Sequence, residues 1–273
     1  MELKPRTSLL GNPWRLMQNP GYNLTVRLGL AVNRVGLSRK ANLAGILEMA
    51  AAAVGQGAEM VLFPEAALTG LINDDDPELD LPLGEEIPGP LVNLLSSAAN
   101  QNGIWLGIGL LERDGERLYD SAVLLDPQGR IALKYRRISP GWHGTKADPR
   151  VYCHGNELPF AETPFGRLSF LICGDLFDDE IAQGARGLKP DLVLVPFARN
   201  FEDGSWDAGR WEREERGAYA ERAKVIGSYV AMVNYLSEID GAFGGAMIVS
   251  PKGDILCELS PGVSGILVGE IGL

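Results

Sequence analysis

Cysteine and histidine are both scarce in this chain of 273 residues. The three cysteines, Cys153, Cys173 and Cys257, are odd in number and have no CxxC spacing, which argues against a disulfide framework and a structural zinc site. The two histidines, His143 and His154, are too few and too isolated for a histidine-rich metal site. We therefore expect no bound metal, and the unpaired thiols suit a reducing cytoplasm.

Long apolar runs, phosphate-binding loops and excess positive charge are also lacking. The apolar runs are well under the ~18 residues of a membrane span, and residues 1–23 contain no apolar segment typical of a secretory signal. Neither GxGxxG nor GxxxxGK[ST] occurs. With 25 basic and 36 acidic residues, the chain carries a net charge of −11, which disfavours polyanions as partners. We expect no cofactor, no membrane contact and no nucleic acid partner.

The order of the predicted elements is typical of an α/β protein. Residues 24–32 predict a strand, 39–56 a helix capped by Ser38, and 59–63 a buried strand that is followed directly by Glu65. This βαβ pattern indicates a parallel or mixed sheet, and ligands bind at the carboxyl ends of such strands. Further strands are predicted at 104–111, 117–125, 130–138, 168–172, 191–195, 230–234, 244–249 and 254–259.

Helices are further predicted at 90–102, 179–187 and 210–226, and long loops at 69–90 and 139–157. No internal repeat or low-complexity linker divides the chain. We therefore expect residues 1–23 to be an N-terminal extension and residues 24–273 to form a single α/β domain.

Cys173 lies where a buried strand, residues 168–172, runs into an acidic, helix-like segment. The partial positive charge at a helix N-terminus favours the thiolate, which is the form that attacks carbon. Cys173 is therefore a candidate nucleophile. The alternative is a small apolar core residue, because free cysteines are usually buried and inert.

Strand parity separates two neighbouring cations in the predicted strand 130–138. Side chains alternate between the two faces of a strand, so Arg137 shares one face with the apolar residues Ile131, Leu133 and Tyr135. Lys134 lies on the opposite face. The pattern therefore predicts that Arg137 points inward.

Several motifs, in order and with the right spacing, resemble the carbon–nitrogen hydrolase (nitrilase) superfamily. They are Val61-Leu-Phe-Pro-Glu65-Ala-Ala-Leu-Thr-Gly70, the hairpin from Leu118-Tyr-Asp-Ser through Asp126-Pro-Gln-Gly129 to Lys134-Tyr-Arg-Arg137, and Thr163-Pro-Phe-Gly-Arg-Leu168 leading to Ile172-Cys173-Gly-Asp175. The resemblance implies a four-layer αββα sandwich, with two mixed sheets between helical layers, and a homodimer or larger assembly. It also implies a Glu-Lys-Cys catalytic set.

Matched position by position, Glu65 falls on the general base of the family and Cys173 on its nucleophile. The position of the catalytic lysine is occupied by Arg137, and Lys134, three residues earlier, is the alternative candidate for the cation of the site. Arginine keeps the positive charge but cannot cycle a proton. The resemblance thus implies a Glu-Arg-Cys set, in which Arg137 and the N–H of Gly174 stabilise the charged intermediate.

A second departure concerns the additional glutamate that many family members carry before the cysteine strand. Asp148 is nearest to that place and has a shorter reach, while Glu157 falls on a variable position. Each has the alternative of being a solvated loop residue.

The expected activity is thiol-dependent hydrolysis of a small amide or carbamoyl compound, with a nitrile less favoured. Arg199 is a candidate partner for a substrate carboxylate, and the other loop residues that could border the pocket are Trp142, Phe177, Asn200 and Trp206. One rival is a catalytically silent member that binds a ligand or partner. Another is Cys-His chemistry, with His143 or His154 as the base.

Overall fold

Strands and helices alternate in two stretches of the chain, residues 25–114 and 166–234, and the other described strands mostly follow one another directly. The structure, a computed structural model, describes residues 4–6, 25–71, 75–201 and 207–273. Its strands are β1 (Lys4–Arg6), β2 (Thr25–Val32), β3 (Met60–Leu62), β4 (Trp105–Asp114), β5 (Arg117–Leu125), β6 (Ile131–Arg136), β7 (Tyr152–Cys153), β8 (Glu157–Thr163), β9 (Gly166–Phe170), β10 (Leu192–Phe197), β11 (Tyr229–Asn234), β12 (Ala246–Val249), β13 (Ile255–Leu259) and β14 (Gly265–Gly272). Its helices are α1 (Arg39–Gly55), α2 (Pro77–Asp80), α3 (Pro90–Asn102), α4 (Asp179–Gly187), α5 (Ala208–Arg210) and α6 (Arg216–Ile226).

These strands form two mixed sheets in the described residues. One sheet has the order β14-β2-β3-β4-β5-β6, with β7 beside β5, and the other has the order β1-β8-β9-β10-β11-β12-β13. Strands β2, β3 and β4 run parallel, as do β9, β10 and β11, while β5 and β6 form an antiparallel hairpin. The prediction of a parallel or mixed sheet is confirmed as a mixed one.

The two sheets pack face to face between layers of helices. Leu28 of β2 and Phe170 of β9 belong to one buried cluster that fills the space between the sheets. Val61 of β3 packs outward against α1 and α3. On the far side, Ile181 of α4 and Ala223 of α6 cover the second sheet. This order of layers is the expected four-layer αββα sandwich.

The helices with clear sequence signals form where they were predicted. At the start of α1, the Ser38 hydroxyl accepts a hydrogen bond from the N–H of Ala41 at 3.3 Å. Helix α3 has Pro90 in its first turn and is followed by Gly103 at a φ of +62°. Helix α4 spans the predicted residues 179–187.

Several features of the fold differ from the predictions, and the unpredicted strands β7 and β14 form because they pair with strands that are distant in the chain. The predicted loop 69–90 contains α2, which Asp76 caps by accepting a hydrogen bond from the N–H of Glu78 at 2.9 Å. The predicted loop 139–157 contains β7, which pairs with β5. The predicted helix 210–226 is interrupted by a π-helical turn, Trp211–Glu215. Strand β14 was not predicted and pairs antiparallel with β2 over eight residues.

The predicted domain boundary between residues 23 and 24 lies outside the described residues. None of the described helices is both long and apolar enough to cross a lipid bilayer.

Candidate active site

Cys173 lies on a strained turn directly after a buried strand. Strand β9 ends at Phe170, the next two residues are buried, and Cys173 opens a 3₁₀ turn, Cys173–Phe177, with a φ of +45°. Such a φ is unfavourable for a residue with a side chain and occurs often at active sites. The half-buried thiol donates to the carbonyl oxygen of Ala198 at 3.6 Å. The helix-like segment expected after Cys173 begins as this 3₁₀ turn, and the predicted helix 179–187 follows it as α4.

Asp175 ties this turn to the end of strand β6. Its Oδ1 accepts hydrogen bonds from the N–H groups of Ile138 at 3.1 Å and Ser139 at 2.7 Å. Its Oδ2 accepts from the N–H of Ile172 at 2.9 Å and from the Tyr135 hydroxyl at 2.6 Å. Four donors to one buried carboxylate hold the turn in place and stabilise its strained residue.

Glu65 is brought into the same region by the end of strand β3. Its side chain is fully buried, with 0% exposure. Gly109 of β4 lies against its backbone, and a Cβ on Gly109 would be 2.5 Å from the Cα of Glu65. A glycine is therefore required at position 109 to let the Glu65 turn approach the sheet.

Arg137, the residue after β6, points inward as the strand parity predicts and is 4% exposed. Its Nη1 donates to Glu65 Oε1 at 2.9 Å and to Asp120 Oδ2 at 3.4 Å. Its Nε donates to the Ser139 hydroxyl at 3.0 Å, and its Nη2 donates to the carbonyl oxygen of Pro140 at 3.1 Å. The fork of the guanidinium is therefore held from several sides.

Gly174 connects the arginine with the cysteine turn. A Cβ on Gly174 would lie 2.6 Å from Arg137 Nη2 and 2.9 Å from Ser139 Oγ. Glycine thus allows the guanidinium to pack against the residue that follows Cys173. Glu65, Arg137, Cys173 and Gly174, four residues that the sequence singled out, are brought together in one buried cluster.

The charges in this cluster perturb one another strongly. Burial, and then the negative charge of Cys173, raise the pKa of Glu65 from 4.5 to about 8, although Arg137 opposes the shift. Burial and the charge of Glu65 raise the pKa of Asp120 well above its usual range. Burial lowers the pKa of Arg137, but Glu65, Cys173 and Asp120 together raise it above its ordinary value. Perturbed titratable groups gathered in this way are typical of catalytic sites.

The raised pKa of Glu65 predicts a specific pH dependence of stability. The unfolded chain loses this proton near pH 4.5 but the folded protein only near pH 8, so the stabilisation is complete below pH 4.5 and is lost as pH rises to 8. We expect Glu65→Gln to remove this loss and to raise the free energy of unfolding, relative to wild type, by a few kcal/mol more at pH 8 than at pH 5.

Denaturant unfolding of both proteins at the two pH values measures this effect, with the exposed Glu116→Gln as a matched control. An equal loss of stability between pH 5 and pH 8 in wild type and Glu65→Gln would contradict the prediction.

Lys134 does not join the cluster. It lies on the opposite face of β6, where it forms an ion pair with Glu112. Arg136 also binds Glu112, through hydrogen bonds of 2.9 Å and 2.6 Å. The candidate role of Lys134 as the cation of the site is therefore wrong, because strand alternation turns its side chain away from Glu65.

Asp148 also lies apart from the cluster. Its carboxylate binds the exposed side chain of Arg150 at 2.6 Å, and hydrogen bonds from Arg150 lower the pKa of Asp148 from 3.8 to about 2. The expectation that Asp148 replaces the family's additional glutamate is corrected, because Asp148 folds back onto its own loop. The other carboxylate considered, Glu157, begins strand β8.

Arg199 borders the cysteine turn but already has a charged partner. It follows Ala198, whose carbonyl accepts from Cys173, and its backbone N–H donates to the side chain of Asn234 at 3.1 Å. Its guanidinium pairs with Glu215, with Nε donating to Oε2 at 3.0 Å. Glu215 ends the π-helical turn, and such turns are frequent at functional sites.

The remaining loop residues fall in different environments. Trp142 is buried beside Tyr152, Phe177 is 43% exposed and stacks edge-on against Tyr219, and the Asn200 amide donates to the backbone carbonyl of Asp240 at 2.7 Å. Trp206 lies outside the described residues.

The two histidines are not isolated in space. The Nε2 atoms of His143 and His154 lie 3.2 Å apart, and the Nδ1 of His143 is 2.9 Å from the carbonyl oxygen of Gly144. Within the described ranges, no group of three or more histidine, cysteine or acidic side chains is arranged to hold a metal ion.

Asp120 is the residue of this cluster that sequence reasoning missed. It is 1% exposed in the middle of β5 and shares its strand face with Ala122 and Leu124, which lie in the core between the sheets. A carboxylate at an inward position of an apolar strand was the available signal, because such a group is rarely buried without a partner.

A match to a family model places the chain among known proteins. The model of carbon–nitrogen hydrolases matches residues 26–273. This protein therefore belongs to the carbon–nitrogen hydrolase family.

Individual relatives agree with this membership. Omega-amidase NIT2 of Danio rerio is 27% identical over 244 residues, which cover 84% of this chain and 82% of that protein. The nitrilase and fragile histidine triad fusion protein of Drosophila melanogaster is also 27% identical, and the match spans 86% of this chain but only 51% of the fusion protein. The crystal structure of an amidase from Nesterenkonia sp. has the same fold, with a TM-score of 0.76, 24% identity and 92% of each chain covered.

Proposed function

We propose that this protein hydrolyses a non-peptide carbon–nitrogen bond of a small amide or carbamoyl compound through a thioester on Cys173, with a nitrile as a less favoured substrate. The observation that supports this most is the convergence of Glu65, Arg137 and the Cys173–Gly174 turn. Arg137 Nη1 lies 2.9 Å from Glu65 Oε1, and its Nη2 packs against Gly174. A base, a cation and a nucleophile within one buried cluster are the parts that acyl transfer needs.

The first step is proton transfer from the Cys173 thiol to Glu65, followed by attack of Sγ on the carbonyl carbon. Glu65 Oε2 is buried without a hydrogen-bond partner among the described residues, which leaves an acceptor for this proton. A base with a pKa of about 8 accepts a proton in its ionised form, so we expect kcat/KM to fall as pH drops below 8.

The negative charge that develops on the substrate oxygen is stabilised by Arg137 and by the N–H of Gly174. Within the described residues, the contacts of Arg137 engage four of its five N–H groups and leave one on Nη2, the nitrogen nearest Gly174. One well-placed donor to such an oxyanion is typically worth about 3 kcal/mol.

Glu65 then gives its proton to the leaving nitrogen, and ammonia or an amine departs as the thioester forms. Water attacks the thioester carbon after Glu65 takes one of its protons, and the carboxylic acid product leaves while the thiol regains a proton. This sequence needs neither a metal nor an organic cofactor. A nucleophilic thiol must stay reduced, and the three cysteines are unpaired, which fits the expected cytoplasmic location.

An amide substrate is supported by the relatives, since the protein from Danio rerio is an omega-amidase. Arg199 is proposed to bind the acyl part of the substrate, because it lies next to the cysteine turn. Its ion pair with Glu215 means that a substrate carboxylate has to compete with Glu215 for the guanidinium. The homodimer or larger assembly stays a prediction that the molar mass in solution tests.

The close contact between Arg137 and Glu65 also favours one rival function. Arg137 holds Glu65 by a strong hydrogen bond and also contacts Asp120, which makes Glu65 a weaker base and favours a catalytically silent binding protein. The Cys-His rival has less support, because the ring nitrogens of His143 contact His154 and a backbone carbonyl.

Intact-protein mass spectrometry during turnover tests the proposal, with a panel of small amides, carbamoyl amino acids and nitriles and a parallel assay for ammonia. A transient acyl adduct on Cys173 together with ammonia release is the expected result. A folded protein without adduct or ammonia, whose Arg137→Lys variant gains activity, would favour the silent binder.

A further inference from the structure

The buried cluster holds more carboxylates than cations. Glu65 and Asp120 are 0% and 1% exposed, and both lie on Nη1 of Arg137, at 2.9 Å and 3.4 Å. Asp175 is a third buried carboxylate, but its four hydrogen-bond donors satisfy it. The single charge of Arg137 therefore has to compensate two carboxylates, although it suffices for only one.

Each of these two carboxylates also has an oxygen without a partner. Glu65 Oε2 and Asp120 Oδ1 are buried, and no N–H or hydroxyl group of a described residue donates to either, whereas the two carboxyl groups interact with one another. A buried, ionised carboxylate with an unpaired oxygen is costly, whereas a protonated one becomes a hydrogen-bond donor. Two carboxyl groups that lie close to one another therefore favour the state that keeps one proton between them.

The geometry indicates which of the two keeps the proton. Arg137 Nη1 is 0.5 Å closer to Glu65 than to Asp120, so the ionised form is better compensated at Glu65. Asp120 has a second link to the arginine that needs no charge, because its backbone carbonyl accepts from the N–H of Arg137 at 2.8 Å. We propose that Asp120 is a positioning residue that anchors Arg137 and keeps the proton of the Glu65–Asp120 pair, so that Glu65 is the member that ionises.

The surroundings of Asp120 act in the same direction. Three charged groups face it from three different elements: Glu65 after β3, Arg137 after β6 and Asp175 in the cysteine turn. Burial and the two carboxylates raise the pKa of Asp120 well above its usual range, and Arg137 lowers it only in part. The raised pKa of Asp120 and the closer contact of Arg137 with Glu65 therefore favour the same state, with the proton on Asp120 and the negative charge on Glu65.

A neutral Asp120 has a consequence for the proposed reaction. If both carboxyl groups were ionised, two negative charges would face Arg137 and weaken its attraction for a substrate oxyanion. With the proton on Asp120, the positive charge of Arg137 is balanced by Glu65 alone. When Glu65 accepts the proton of the thiol, this charge is no longer balanced and can stabilise the substrate oxyanion. This consequence depends on the proposed function, whereas the protonation of Asp120 does not.

Infrared spectroscopy tests the proton directly, because the carbonyl stretch of a protonated carboxyl group is separate from that of a carboxylate. At pH 9, the difference spectrum between wild type and Asp120→Asn is expected to contain one such band. Labelling aspartate carboxyls with ¹³C is expected to shift this band, and labelling glutamate carboxyls is expected to leave it. The proposal would be overturned if the band of the protonated carboxyl group shifted with the glutamate label. It would also be overturned if wild type showed no such band at pH 9.

The pH profile of kcat/KM is the second readout. Asparagine and protonated aspartic acid are both uncharged. Asp120→Asn is therefore expected to leave the midpoint of the fall in kcat/KM at low pH, the acid limb, within about 0.3 pH units of wild type. An acid limb about one unit lower would show that Asp120 carries a negative charge in wild type. Without any turnover in wild type, the proposed function fails but the infrared experiment still decides the position of the proton.

Discussion

Replacement of Cys173 by alanine is expected to reduce ammonia release at least about 10⁴-fold and to abolish the acyl adduct, because no other group in the cluster can form the thioester. The thiol is half-buried and donates only one long hydrogen bond, to Ala198. Its loss should therefore leave the free energy of unfolding nearly unchanged. Single-turnover assays of the variant measure the loss of ammonia release, and mass spectrometry of the variant measures the loss of the acyl adduct.

The other two cysteines provide the matched controls. Cys153 and Cys257 are also unpaired, and neither contacts Glu65 or Arg137 among the described contacts. Cys153→Ala and Cys257→Ala are expected to keep wild-type turnover. Substantial ammonia release by Cys173→Ala would exclude the thioester route.

Arg137→Met is expected to have the second largest effect, because it removes the only cation in contact with Glu65 and Asp120 in the described cluster. Breaking a buried ion pair of this kind costs about 3 kcal/mol of stability, and loss of a donor to the oxyanion costs about 10²- to 10³-fold in kcat. Denaturant unfolding and steady-state kinetics, both at pH 8, measure the two losses.

Lys134→Met is the matched control for this change. It removes a cation from the opposite face of the same strand, and Arg136 continues to bind Glu112. We expect its kcat to stay within about twofold of wild type. Equal losses of kcat in Arg137→Met and Lys134→Met would contradict the assignment of Arg137 as the cation of the site.

Local patterns in the sequence predicted a large part of the fold. Helices α1 and α3 carry their own capping residues, and strand alternation distinguishes Arg137 from Lys134 without knowledge of any contact. Such signals are contained within a few consecutive residues, so they can be recognised from the sequence alone. The short strand β7, by contrast, exists only because β5 lies beside it.

The same distinction applies to the residues of the candidate site. Sequence motifs pointed to Glu65 and Cys173, and their spacing in the chain resembled a known family. Sequence proximity misplaced Asp148, whose carboxylate binds the exposed Arg150, because a neighbour in the chain competes with a distant site. It also left His143 and His154 apart, although their loops bring them within 3.2 Å.

The sequence by itself determined the family, most of the helices and strands in their order, and the inward direction of Arg137 after β6, because these depend on local periodicity and motif spacing. Only the tertiary structure decided that Arg137 lies between Glu65 and Asp120, residues that are 72 and 17 positions away in the chain. That arrangement depends on how the two sheets and the cysteine turn pack, and packing is what removes water and makes the charges of these groups interact.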